Sequence, residues 1–282
     1  IKLVLPLNDL ELSVLAQEKD NFANLGTTII VSSPKVIDIC MDKWKTYCFL
    51  RRNNISTPKT YLTTADAEQG LSNGEVDFPL FVKPRWGTAS LFTQIVKNLE
   101  ELRYVFALSK RLLSDSIISQ FSCKEPEHAM LIQEAIEGEE YGLDILNDLE
   151  GQYQTTAVRK KISMRAGETD RAITVKDTFM EDIGSSIGKT LCHIGNVDCD
   201  LFLTNKGPSV LEMNPRFGGG YPFSHEAGAN FPAAIVAWAT AKPVNPNWFK
   251  IKPGLVMSKY ELVMVTDMTS RFARDKSSFE RK

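Results

Sequence analysis

Apolar and polar positions along the chain group into short strands and amphipathic helices. Leu3-Val4-Leu5 is a first apolar run, a helical pattern follows from about Asp9 to Leu25 with Gly26 as its stop, and Thr28–Val31 is a second run. Asp42-Lys43 opens another helix, Lys43–Arg52, which ends in the turn Asn53-Asn54 before Pro58. This order predicts a piece of an open α/β sheet over residues 1–60. Lys2–Pro6 already reads as an interior strand, so earlier strands of the same unit are expected to precede it.

Residues 61–130 predict a second unit: a helix over Ala65–Leu71, a strand over Pro79–Lys83, a small-residue loop, a strand over Leu91–Val96 and a helix opened by Asn98-Leu99-Glu100-Glu101. The two strands form a hairpin with the loop as its flap. Residues 131–265 predict the main sheet. Its strands are Leu131–Ile136, Tyr141–Leu146, Tyr153–Val158, Val197–Leu203 and Ser209–Met213, with a helix over Thr178–Ile194 and a basic strand or loop, Arg159–Arg165, facing Glu168. The polar tail 266–282 carries no pattern.

Chemistry concentrates in the last two strands. Glu212 and Asn214 are two apart on one strand and point to the same side. Thr204–Pro208 is a hairpin signal, and a three-residue loop over Asn205–Gly207 would set Asp200 opposite Glu212. Carboxylates paired across strands repel each other, and a bound cation relieves that. Three oxygen ligands (Asp200, Glu212, Asn214) favour Mg²⁺ or Mn²⁺ over zinc. The plainer alternative is a polar strand end with solvated acids, which a one-residue change of register would favour. Arg216 sets a cation just beyond, and Gly218–Gly220 permit close backbone approach. Lys83 ends an apolar run, and Gly87 with Ser90 offers N–H and hydroxyl donors to an anion. On spacing alone Lys43 reads as a solvated helix residue, the acids of Gly138–Tyr141 as a polar hairpin, and the basic strand as a protected sheet edge.

Composition removes several function classes. A net charge of −2 without a basic block argues against nucleic acid, and the most apolar stretch, Ala227–Ala241, is too short to span a bilayer. No signal peptide opens the chain, and the five cysteines lack metal-ligand spacing, which points to buried thiols in a reducing cytoplasm. Gly184–Thr190 resembles a phosphate-binding loop, but its glycines are one residue too close and no apolar strand leads into it. His128, His193 and His225 are scattered and read as structural.

Three segments in order carry a resemblance: D-F-P-L-F-V-K-P-R-W-G from Asp77, Q-E-A-I-E-G-E-E-Y-G-L-D from Gln133, and L-E-M-N-P-R-F-G-G-G from Leu211. Together they resemble the ATP-grasp superfamily, in the branch of the carbamoyl-phosphate synthetase large subunit, over about Leu3 to Lys242. The resemblance implies α/β and α+β architecture: a partial N-terminal (pre-ATP-grasp) unit over 1–60, a small flap-bearing subdomain over 61–130 and a large subdomain over 131–265. It implies that Lys43 and Lys83 contact the α- and β-phosphates of ATP and that Gly87–Ser90 closes over the β- and γ-phosphates. Glu134 would meet the adenine amino group, the Ile136 backbone the ring edge, and Glu140 the ribose. Asp200, Glu212 and Asn214 would hold one or two Mg²⁺. Arg216 would face an acceptor carboxylate, with Arg159 and Arg165 assisting.

The implied activity is an ATP-dependent carboxylate–amine ligase working through an acyl phosphate. Its substrates would be a small-molecule carboxylate and an amine, and a homodimer is the expected assembly. The alternatives are phosphorylation of a small carboxylate or carbamate, and a non-catalytic ATP sensor. The flap is poorer in glycine than the family pattern, which leaves room for the last.

Overall fold

The computed structural model describes residues 1–87, 92–116 and 125–261. Ser90 and the tail therefore lie outside the described residues.

The N-terminal segment pairs β1 (Leu3–Val4) with β2 (Thr28–Ile29) in parallel. Between them lie α1 (Asp9–Gln17) and α2 (Lys19–Asn24), so the single helix expected from Asp9 to Leu25 is two. The break falls at Glu18, which leaves helical geometry while its carboxylate accepts from Asn21 Nδ2 at 2.6 Å. Only α1 buries an apolar side, through Leu12 and Ala16. Gly26, at φ +76°, turns the chain into β2 as the sequence predicts.

Two further helices, α3 (Pro34–Met41) and α4 (Lys43–Arg52), follow. The sequence reading passed over α3, although Ser33 caps it and Pro34 occupies its first turn. Val36, Cys40 and Leu50 of this pair enter the core beneath the large sheet.

A four-stranded antiparallel sheet has the order β3 (Thr60–Tyr61), β6 (Met130–Glu134), β4 (Leu80–Pro84), β5 (Gln94–Val96). It is backed by α5 (Thr64–Ser72) and α6 (Leu99–Ser114), with Ala67, Leu80, Val82, Leu102 and Ile132 in its core.

The large sheet has six antiparallel strands. Their order is β11 (Gly207–Asn214), β10 (Gly195–Thr204), β7 (Glu139–Asn147), β8 (Tyr153–Arg165), β9 (Glu168–Val175), β12 (Val256–Ser258). Arg159–Arg165 is thus the far half of one long strand, and β9 was not foreseen. One face carries Leu143, Ile145, Val158, Val197, Cys199 and Leu201 and is closed by α7 (Thr178–Leu191) through Met180, Ile187 and Leu191. Gly184 and Gly188 of the apparent phosphate loop lie inside α7. A Cβ on either would strike Thr156 or Tyr153 of the sheet, so close packing explains these glycines. The alternation that buries Val197, Cys199 and Leu201 sends Asp198 and Asp200 to the opposite face. Part of that face is covered by α8 (Tyr221–Glu226) and α9 (Phe231–Ala239). The rest borders a cleft.

The β10–β11 turn is tighter than expected. Thr204 pairs with Gly207, leaving a two-residue loop, yet Asp200 still faces Glu212. A bulge between Asp200 and Leu201 restores the pairing, with Leu211 as the extra residue.

Candidate active site

The cleft holds two cavities that meet at Asp200 and Glu212. The smaller, about 340 Å³, lies between the two sheets. Lys43, Lys83, Gly87, Glu134, Ile136 and Glu140 line it, so the described residues expected around a nucleotide converge on one space. Phe81, Phe202 and Leu211 give it apolar walls. Leu211 reaches it because the bulge sets this side chain outside the regular alternation, a placement no sequence pattern announced. The larger cavity, about 490 Å³, is lined by Asp9, Asp198, Asn214, Arg216 and the β8–β9 hairpin. Gly87, Met164, Gly167, Asp200 and Glu212 border both.

The two lysines of the smaller cavity are held by neutral oxygens. Lys43 Nζ donates to the Gly87 carbonyl at 2.6 Å and Lys83 Nζ to Gln133 Oε1 at 2.7 Å. Burial, reinforced by the charge of Lys43 and opposed by Glu212, pushes Lys83 down to about 8. Lys43 is positioned by a buried pair the sequence reading missed. Asp42 caps α4 and accepts from Arg85 Nε and Nη2, both at 2.8 Å, while the Lys43 N–H bonds the Arg85 carbonyl at 3.1 Å. This ties the start of α4 to the strand that carries Lys83. Glu134 lines the cavity with one carboxylate oxygen already accepting from the Lys59 N–H at 3.0 Å.

At the junction, Asp200 and Glu212 are cross-strand partners and Asn214 pairs with Asp198. Burial first, then the neighbouring Asp198 and Glu212 against the attraction of Lys161, raises the Asp200 carboxyl to about 7. Glu212 is held below the ordinary range because Lys43 and Lys83 outweigh its burial. Lys161, unremarked in the sequence reading, supplies the nearest cation: its Nζ is 2.8 Å from Asp200 and 2.7 Å from Glu140. Among the described residues no three His, Cys, Asp or Glu side chains surround one point. The donor set here is two carboxylates and an amide, and that suits Mg²⁺, which keeps waters and phosphate oxygens for its remaining positions.

Beyond the junction runs a chain of alternating charge. Arg159, only 1% exposed, gives Nη1 to Asp144 and Nη2 to Asp198, the latter at 2.5 Å. Its Nε is buried without a partner. Asp144 also accepts from Ser224 at 2.6 Å. Arg216 Nη1 lies 3.8 Å from Asp198, and its Nε and Nη2 grip Asp9 of α1 at 2.6 and 2.8 Å. Arg159 therefore borders the larger cavity with both terminal nitrogens committed.

One expected residue lies elsewhere. Arg165 stands away from the site, half exposed and paired with Asp170 and Glu261. The close approach that the glycines permit is to the ion network, because a Cβ on Gly218 would strike the Asp198 carboxylate and one on Gly220 the Arg159 guanidinium. They let the backbone settle onto the buried ion network; Gly219 and Gly220 still border the larger cavity.

No helix among the described residues is long and apolar enough to cross a membrane. Comparison with known proteins places the site in context. The model of the ATP-grasp domain matches residues 40–220. The carbamoyl phosphate synthase large chain of Helicobacter pylori is 25% identical over 225 residues, covering 77% of this chain and 20% of that protein. Biotin carboxylase from Campylobacter jejuni, solved as a β,γ-ATP complex, superposes with a TM-score of 0.71 at 14% identity, covering 89% of this chain and 57% of its own. The biotin carboxylase domain dimer of 2-oxoglutarate carboxylase from Hydrogenobacter thermophilus, solved with MgADP, ADP and bicarbonate, gives 0.70 at 15%, covering 86% and 54%. This chain thus spans about a fifth of the curated relative and little over half of the solved chains. It belongs to the ATP-grasp family, whose enzymes are ATP-dependent ligases that bind ATP with Mg²⁺.

Proposed function

We propose that the chain is a carboxylate–amine ligase that activates its carboxylate as an acyl phosphate, releasing ADP and phosphate. The observation that carries this reading is the pair of cavities sharing Asp200 and Glu212, a phosphoryl donor's space and an acceptor's space with the metal residues between them. A carboxylate is a poor electrophile. Its oxygen attacks the γ-phosphorus, the bond to the ADP oxygen breaks, and an amine then displaces phosphate from the acyl carbon.

In this reading Lys43 and Lys83 neutralise the α- and β-phosphates, and Phe81, Phe202 and Leu211 wall the base. Glu134 and the Ile136 backbone bond its edge, and Glu140 takes the ribose hydroxyls. Asp200, Glu212 and Asn214 would hold Mg²⁺, which would supply charge neutralisation for the transferring phosphoryl group. Lys161, paired with Asp200 and Glu140, adds a fixed positive charge beside the transfer. Arg216 meets the acceptor carboxylate with its remaining N–H groups, and Arg159 acts through Asp198, which it holds in place. Ser90, expected to close over the phosphates, lies outside the described residues. A homodimer in the manner of the Hydrogenobacter domain is the assembly we expect.

The likeness to the carbamoyl phosphate synthase large chain supports a second reading, phosphorylation of carbamate or another small carboxylate. The test is phosphate release from Mg·ATP with carboxylates and hydroxylamine, together with the melting temperature. A hydroxamate marks the ligase. ATP-stabilised protein that releases no phosphate with any carboxylate leaves only a sensor. Glu212→Gln should keep the fold and lose turnover, and full activity in that variant ends the metal assignment.

A further inference from the structure

Helix α1 has two apolar sides where a surface helix needs one. Leu12 and Ala16 pack with Ile29, Val31 and Ile37 in the core of its own unit. Leu10 faces the other way and Leu7 stands just before the cap; they are 54% and 61% exposed, and both line the larger cavity. Across that cavity stands Met164 of the β8–β9 hairpin, 42% exposed, with Phe217 at the same lining. The helix is not free to turn these side chains elsewhere. Asp9, between the two leucines, is clamped by Arg216, and Asn8 closes a capping box at the helix start.

Size and charge point the same way. A one-carbon acceptor such as bicarbonate fills roughly 60 Å³, two waters' worth, of a space of about 490 Å³. The cations on that lining are already committed: Arg159 to Asp144 and Asp198, Lys161 to Asp200 and Glu140, Arg216 to Asp9. A second negative charge on the acceptor would find no uncommitted cation among them. The cavity is polar on the side of the ion network, and Leu7, Leu10 and Met164 give it one apolar wall, the kind of surface that an apolar ligand part covers.

We propose that the larger cavity takes a monocarboxylate with a hydrocarbon side group, aliphatic or aromatic, laid against Leu7, Leu10 and Met164. This rests on the ligase reading and narrows it, because it excludes bicarbonate, carbamate and dicarboxylates as the preferred acceptor.

The experiment uses the whole chain with Mg·ATP and hydroxylamine. Phosphate release is followed with acetate, hexanoate, phenylacetate, succinate and bicarbonate, and hydroxamate is measured for the organic acids, where nitrogen attacks the acyl carbon and phosphate leaves. From acetate to hexanoate kcat/KM should rise about tenfold or more, since even a single methylene in an apolar pocket discriminates by about tenfold or more. Leu10→Asn should raise the KM for hexanoate while the KM for ATP stays put. Val14→Asn, one turn further along α1 and outside the cavity lining, should change neither. Equal kcat/KM for acetate, succinate or bicarbonate, or a Leu10→Asn variant with unaltered KM for hexanoate, overturns the apolar assignment and leaves the ligase reading standing. If no carboxylate elicits phosphate release, the ligase reading fails. The cavity is then judged by binding in the presence of Mg·ADP, where equal thermal shifts from acetate and hexanoate overturn it.

Discussion

Arg216 and Asp9 are 207 residues apart in sequence and form a two-point ion pair, Nε and Nη2 on the two carboxylate oxygens at 2.6 and 2.8 Å. It joins the strand end that carries Glu212 and Asn214 to a helix of the N-terminal segment. Asp9 is 7% exposed and sits in the first turn of α1, where the helix field favours its negative charge. Removing one partner of such a pair leaves the other charge in a largely dry place, at a cost of about 3 kcal/mol. Asp9→Asn and Arg216→Met should each destabilise by about that amount, and the double variant by clearly less than their sum. Urea titrations of the four proteins measure the coupling. Strict additivity would mean that the two groups do not act on each other in solution.

The glycines after β11 divide into a strict and a lenient position. A Cβ at 218 would overlap the Asp198 carboxylate, whose place is fixed by Arg159. A Cβ at 219 would touch only Glu168 at 3.1 Å, the tip of a mostly exposed side chain that can move aside. Gly218→Ala should therefore destabilise by about 1–3 kcal/mol through overpacking, and Gly219→Ala by a few tenths. Thermal unfolding of the two variants separates them. Equal losses would indicate a backbone requirement shared by both rather than contact with Asp198.

Much of this site was legible in the sequence because side-chain alternation is a strong local rule. Val197, Cys199 and Leu201 had to face a core, so Asp198 and Asp200 had to face away, and Glu212 and Asn214 followed on the next strand. The pairing of Asp200 with Glu212 came out as expected although the expected loop was one residue too long. The tighter turn removes a residue that the bulge at Leu211 puts back. What stayed hidden depends on partners distant in sequence. Nothing near Arg216 announces Asp9, nothing near Lys161 announces Asp200, and Arg85 finds Asp42 43 residues away. Two local signals were present and unused: Ser33-Pro34 ahead of α3, and the alternation burying Ala172 and Thr174 in β9.

Lys83 should make nucleotide binding depend on pH. Its ammonium is buried beside Lys43 and, among the described residues, donates only to a neutral amide oxygen; burial lowers it to about 8. Phosphate oxygens arriving beside it would favour the charged form and raise it again. Bound and free states then differ in protonation above pH 8, with the bound state holding more protons. Affinity for ADP should be flat below pH 8 and fall as pH rises above it. Calorimetry at pH 8.5 in buffers of different ionisation enthalpy should show proton uptake by the parent and none attributable to this site in Lys83→Met. Binding without proton uptake in the parent would place the phosphates away from Lys83.

His193 gives the fold its own pH dependence, separate from the cleft. The ring is fully buried, with Nε2 3.0 Å from the Ile145 carbonyl. A carbonyl only accepts, so Nε2 carries the proton, and Nδ1 is left buried without a partner. Burial pushes the ring down to about 4, well under the ordinary 6.5. In the unfolded chain it would protonate near its ordinary value. Between those two points the unfolded state binds the extra proton and the folded state does not, so stability falls as pH drops from about 6.5 to about 4 and levels off below. The full loss from this one group is about 3 kcal/mol. Other acidic groups titrate over the same interval, so the comparison that isolates the ring is His193→Gln, whose amide can still donate to Ile145 but cannot take up a proton. Urea unfolding at pH 7.5 and 5.0 should show the parent losing clearly more stability than the variant across that interval. Parallel losses would mean that the ring is already charged in the native protein or reaches water there.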